Sequence, residues 1–136
     1  MKDEYRELIA AACAVRQHSH SPYSRFRVGA ALLGRSGKVY LGTNVENASF
    51  GLSICAERAA VFAAVAQGER EFTAIAVCAD GAAPTPPCGA CRQVLLEFGP
   101  DIAVLLAGQG GTAGEVRQTT VGGLLPDAFR TFHTGP

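Results

Sequence analysis

Three of the five cysteines in this 136-residue chain stand where helices are expected to begin, and any fold must account for them. Cys55 opens a segment with Ala at 56, 59, 60, 63, 64 and 66, which reads as a helix over Cys55–Gln67. Ser53 is its expected N-cap and Gly68 its stop. Cys88 and Cys91 open a shorter helix, expected over Cys88–Phe98, after a stretch Gly81–Pro87 too rich in proline to be regular. Helix N-termini carry unpaired N–H groups and a partial positive charge, and both stabilise thiolates. Two such starts meeting at one sheet edge would gather three thiolates around a single cation. Zn²⁺ is the natural candidate, because it takes thiolate sulfur at ~2.3 Å in a tetrahedron. Three protein ligands leave one position for water, the arrangement of a catalytic rather than a structural site.

On the residues alone, two other readings stay open. A structural zinc would want a fourth ligand, and Cys78 or Cys13 is available by count. A Cys-x-x-Cys at a helix start is also the arrangement of a redox dithiol, so Cys88 and Cys91 by themselves do not separate zinc from redox chemistry. Cys55 followed two residues later by Glu57 favours zinc, since a dithiol oxidoreductase has no use for a third thiolate and an acid. Cys78 falls in an apolar strand and Cys13 in a helix of small residues, where buried free cysteines are common. Both are expected to be packing residues, and the odd cysteine count argues against a disulfide framework.

The rest of the chain supplies the frame. Asp3–Gln17 places Tyr5, Leu8, Ile9 and Ala12 at helical spacing. Arg27–Leu33 and Lys38–Asn44 flank Gly34–Gly37 and read as a β-hairpin, followed by an ordered loop over Asn44–Ser53. Phe72–Ala79 and Ile102–Leu106 read as buried strands and Glu115–Thr119 as an edge strand, with Thr120 capping a helical turn over Val121–Leu124. The order helix, two strands, then helix–strand–helix–strand implies an α/β sandwich with a mixed sheet. Twelve Lys+Arg balance twelve Asp+Glu, and zero net charge argues against a polyanion binder. No window approaches the ~20 apolar residues of a membrane span, and Met1–Glu4 lacks the basic and apolar regions of a secretory signal. A single cytoplasmic domain spanning residues 1–136 is expected.

Cys55-Ala56-Glu57 with Pro87-Cys88-Gly89-Ala90-Cys91 resembles the zinc nucleoside and nucleobase deaminase signature, in its form with Cys in place of His. Four further stretches narrow the resemblance to the small cytidine deaminases: Pro22–Ala31 (PYSRFRVGAA), Asn44–Gly51 (NVENASFG), Cys88–Gln93 (CGACRQ) and Leu124–Phe129 (LLPDAF). The similarity covers nearly the whole chain in one register. It implies a three-layer α/β/α cytidine-deaminase-like fold with a mixed sheet of about five strands. It also implies hydrolytic deamination of free cytidine and 2′-deoxycytidine to the uridines with release of ammonia, a step of pyrimidine salvage.

In such a site Cys55, Cys88 and Cys91 would hold one Zn²⁺ per subunit, and Glu57 would move protons from water to ring N3 and then to the leaving ammonia. Three thiolates on Zn²⁺ sum to a negative charge, and the resemblance gives Arg58 the role of offsetting it against the cysteine ligands. It gives Asn44 and Glu46 the sugar hydroxyls, with period-2 spacing aiming both side chains one way. It places Phe26 against the pyrimidine face, and the backbones of Ala56 and Pro87 beside the base. Phe129 would enter a neighbouring subunit's pocket in a homotetramer with shared active sites, with Phe132 a second candidate for that place. Phe50 stands where many relatives carry Tyr. His18, His20 and His133 match no ligand position. Rival readings are a deaminase of a related cytosine nucleoside such as an antibiotic, of a nucleobase in RNA, or a non-catalytic zinc-stabilised module. Neutrality counts against RNA, and Glu57 with an open fourth position against the module.

Overall fold

A hairpin of β1 (Val28–Gly34) and β2 (Val39–Thr43) starts the sheet, turning through Arg35–Lys38 with Gly37 at φ +92°. The structure, a computed structural model, describes residues 1–130. β3 (Phe72–Ala79), β4 (Ala103–Ala107) and β5 (Val116–Thr120) extend the sheet to the order β2-β1-β3-β4-β5. Only β3 and β4 run parallel, and every other neighbouring pair is antiparallel. Helix α1 (Asp3–Val15) covers one face, while α2 (Ala56–Ala66), α3 (Gly89–Leu96) and the single turn α4 (Val121–Leu124) cover the other. This is the three-layer α/β/α arrangement with a mixed five-stranded sheet.

The two faces differ in side-chain size, and the alternation along β3 shows why. Ala74, Ala76 and Cys78 point to α1, while Ile75 and Val77 point to α2 and α3. Ala31, Ala103 and Ala107 continue the small face, so Leu8, Ile9 and Ala12 of α1 come close to the strands. At Gly29 a Cβ would lie 2.7 Å from Arg16 N, which leaves no room for a side chain under the end of α1. The opposite face carries the larger residues, including Leu32, Tyr40, Val104, Leu106 and the edge-to-face pair Phe72–Phe98 at 5.2 Å. At Gly42 a Cβ would lie 2.5 Å from Ala60 N, so α2 rests directly on the β2 backbone.

Several boundaries differ from the sequence reading. The first helix stops at Val15 and continues to His18 as a tighter 3-10 turn that buries Arg16. Ser53 does not cap α2: its Oγ accepts from Asn47 N at 3.1 Å, and Cys55 itself takes the N-cap position. Thr120 does cap α4, accepting from Gly123 N at 3.1 Å. The largest correction concerns Cys13 and Cys78, expected as separate packing thiols. Packing α1 against β3 brings their Cα atoms to 5.1 Å, inside the range that a disulfide spans, and the two sulfurs pair as one. Their separation of 65 residues hid the pairing from any local reading. Among the described residues no helix is long and apolar enough to cross a membrane. Phe132 and His133 lie outside the described residues.

Candidate active site

Both helices that carry the cysteines begin where β3 ends. Cys55 is the N-cap residue of α2 and Cys88 that of α3, both in extended backbone, and Cys91 follows in the first turn of α3. Cys55 Sγ lies 3.7 Å from Cys88 Sγ, Cys88 Sγ lies 3.5 Å from Cys91 Sγ, and all three sulfurs fall within 4.8 Å of one another. A tetrahedron with ~2.3 Å arms has edges of roughly 3.8 Å, so the donor set fits Zn²⁺ in both chemistry and spacing. The remaining cysteines are paired elsewhere, which leaves no fourth sulfur for a closed structural site among the described residues. A dithiol made by Cys88 and Cys91 alone would not explain why Cys55 lies equally near.

The cation beside the sulfurs favours a thiolate at Cys55. Arg58 Nη2 donates to Cys55 Sγ at 3.4 Å. Hydrogen bonding from Cys91 pulls the Cys55 thiol down to about 5; burial opposes the shift, and Arg58 and Cys88 reinforce it. The buried Cys91 is pushed up instead, by its hydrogen bond to Cys55 and by burial. Glu57 is 4% exposed and lines the same cavity as Cys55 and Cys88. Burial pushes its carboxyl up to about 7, the Cys55 charge adds to that, and its own backbone hydrogen bond and Arg58 oppose it.

The cavity in front of these groups measures about 290 Å³. Its walls include Phe26, Asn44 and Glu46, which the sequence reading assigned to substrate. Val45, between the last two, is 48% exposed, as alternation requires. Ala56 is fully buried, and Pro87 is buried with its carbonyl accepting from Arg92 Nε at 2.8 Å. Thr85 and Pro86 reach the cavity wall, together with Val28, Val77, Ala79 and Ser24. Sequence reasoning missed Ser24, Thr85 and Arg92. Arg92 also donates to Leu124 O at 2.7 Å and thereby ties the start of α3 to α4.

Two polar clusters hold the walls. Asn44 Nδ2 donates to Phe26 O at 2.7 Å, and its Oδ1 accepts from Val28 N at 2.9 Å and from Ser19 Oγ. Asp80, just after β3, accepts from Arg27 N at 2.9 Å and Arg27 Nε at 3.1 Å, and pairs with the buried Arg16 at 3.2 Å. Burial raises the Asp80 carboxyl, but the bonds and charges of Arg27 and Arg16 outweigh it and hold it below the usual carboxylate range. Phe129 does not line this cavity, and Phe50 lines an adjoining one with Tyr23, Ser24, Glu46 and Ser53. Phe50 is 72% exposed and packs edge-to-face on Tyr23, while Phe129 is 66% exposed and accepts from Gln93 Nε2 through its carbonyl.

Comparison with known proteins agrees with this geometry. The model of the family described as "Cytidine and deoxycytidylate deaminase zinc-binding region" matches residues 2–107. A cytidine deaminase of Halalkalibacterium halodurans is 52% identical over 123 residues, covering 90% of this chain and 91% of that protein. A cytidine deaminase of Mycobacterium tuberculosis is 46% identical over 112 residues, covering 82% of this chain and 78% of that protein. Among solved structures, the cytidine deaminase of Burkholderia pseudomallei superimposes with a TM-score of 0.86 at 52% identity, covering 95% of this chain and 100% of that one.

Proposed function

This chain belongs to the cytidine and deoxycytidylate deaminase family, and from that premise we propose how its own residues carry the reaction. It is a cytidine deaminase, a hydrolytic enzyme with a zinc-binding region. Cys55, Cys88 and Cys91 hold the metal, one ion per chain, and Zn²⁺ bound there supplies Lewis-acid activation of a water at neutral pH. Glu57 is the general acid–base: it borders the sulfurs, belongs to a different donor type, and opens on the cavity where a base would lie. It takes the proton from water, gives it to ring N3, and serves the departing ammonia, as in zinc deaminases as a class.

Phe26 packs against the pyrimidine face, and Asn44 with Glu46 binds the sugar hydroxyls, so both cytidine and 2′-deoxycytidine are substrates through the 3′-hydroxyl they share. Ala56 and Pro87 act through their backbones, beside the metal ligands Cys55 and Cys88 that follow or precede them. Arg58 offsets the surplus negative charge of three thiolates on one dication. The whole chain acts as one domain and assembles as a homotetramer. The exposure of Tyr23, Phe50, Leu52, Phe62 and Phe129 supports such an assembly, and Phe129 lies free to enter a neighbouring site.

The observation that carries this reading is the convergence of three sulfurs, one buried carboxyl and the Phe26/Asn44/Glu46 wall on one cavity. Loss of cytidine absorbance by zinc-loaded protein, with Glu57→Gln in parallel, tests it. Glu57→Gln is expected to keep its zinc and lose about 10²–10⁴ in rate, the usual contribution of a positioned acid–base group. A zinc-loaded wild type inactive on both cytidine and deoxycytidine contradicts the reading.

A further inference from the structure

Ser24 links two parts of the cavity that the reaction needs in register. Its Oγ donates to Glu46 Oε2 at 2.5 Å and accepts from Phe26 N at 3.0 Å. A serine hydroxyl has one hydrogen to give, and here Glu46 takes it. The backbone joins in: Tyr23 N and Ser24 N both donate to Glu46 Oε1, at 2.9 and 3.1 Å. Between Ser24 and Phe26 the chain passes through Arg25 at φ +59°, a left-handed conformation that a side-chain-bearing residue seldom adopts. Arg25 N is held by Ser21 O at 2.9 Å, so the segment is pinned on both sides of that residue.

We propose that Ser24 is a positioning residue that fixes the sugar-binding carboxylate of Glu46 and the base-stacking ring of Phe26 relative to each other, and so sets the preference for a nucleoside bearing a 3′-hydroxyl. The inference rests on the sugar and base contacts proposed above. Both partners of the hydroxyl lie in one cavity wall but come from different parts of the chain. Glu46 follows β2 and is attached through His20 O, whereas Phe26 leads into β1. Without Ser24 Oγ, Glu46 Oε2 loses its donor while Oε1 keeps both backbone donors, so the carboxylate pivots about one fixed oxygen. The Phe26 N–H loses its acceptor in the same substitution. An anchor held in the bound geometry before the ligand arrives lowers the cost of binding, and that saving appears in KM rather than in the chemical step.

The test compares cytidine with 3′-deoxycytidine for wild type, Ser24→Ala and Ser24→Thr, with zinc content measured for each. Ser24→Ala is expected to raise KM for cytidine about five- to tenfold, the size of one ordinary lost hydrogen bond, with kcat reduced far less. The ratio of kcat/KM for cytidine over 3′-deoxycytidine should fall by about the same factor, because only the first substrate has the hydroxyl that Glu46 meets. Ser24→Thr keeps the hydroxyl and should restore both values. A Ser24→Ala enzyme with wild-type KM and wild-type ratio overturns the proposal, as does one that loses kcat or zinc with KM unchanged. A wild type that does not distinguish the two nucleosides overturns the sugar contact itself and the role of Ser24 with it. A wild type that discriminates beside a Ser24→Ala variant that discriminates equally overturns only Ser24.

Discussion

Arg58 is the residue on which the chemistry of an all-cysteine site turns. Three thiolates neutralise a dication and leave one negative charge over, which weakens its pull on water. The guanidinium 3.4 Å from Cys55 Sγ draws that charge toward itself. Its Nε is buried without a hydrogen-bond partner, and among the described residues no acid forms an ion pair with it. Arg58→Ala should fold but bind zinc about 10–100-fold more weakly or turn over correspondingly more slowly, as measured by metal competition and the cytidine assay. Unchanged zinc affinity together with unchanged turnover would remove that role. The grouping of Cys55, Cys88 and Cys91 was legible in the sequence because each falls at a helix start, where local spacing determines position, whereas the roles of Glu57 and Arg58 came with the family resemblance. Ser24 and Thr85 were not legible, because their neighbours are assembled only when loops from separate strands close over one cavity.

At the scale of elements, alanines and glycines on the sheet and on α2 act as spacing devices. Gly42 lets α2 lie against β2, and α2 carries Cys55, Glu57 and Arg58 at its start. Gly42→Ala places a methyl 2.5 Å from Ala60 N, where backbone has to move. A loss of about 1–3 kcal/mol in unfolding free energy, the usual cost of overpacking, is expected in denaturant titration, with weaker zinc retention because the helix start shifts. Stability and zinc affinity equal to wild type would show that α2 has slack. Element order and the strand Phe72–Ala79 were legible because the alternation of Ala with Ile and Val marks both faces of a buried strand. The Cys13–Cys78 pair was not legible, since it needs the crossing of α1 over β3. Thiol titration in denaturant without reductant should therefore find the three cysteines of the site, and five after reduction. Five at the outset would contradict the pairing.

For the whole molecule, the mixed sheet explains why one site forms where it does. Between antiparallel β1 and parallel β4, the end of β3 receives the starts of α2 and α3 on the same face. Zero net charge across the chain suits an uncharged small substrate better than a polyanion. The exposed aromatic residues predict association, and light scattering should return four times the 14.1 kDa chain mass. A monomer that deaminates cytidine at full rate would show that Phe129 serves no neighbour. The most direct measurement is a titration of Zn²⁺ into metal-stripped protein, following bound metal and cytidine deamination together. The expected result is a rate that rises in proportion to bound zinc and levels off at one ion per chain, with Cys55→Ala, Cys88→Ala and Cys91→Ala each failing to reach it. Full deamination by metal-free protein, or saturation at a ratio other than one, would contradict a single zinc centre built from two helix starts.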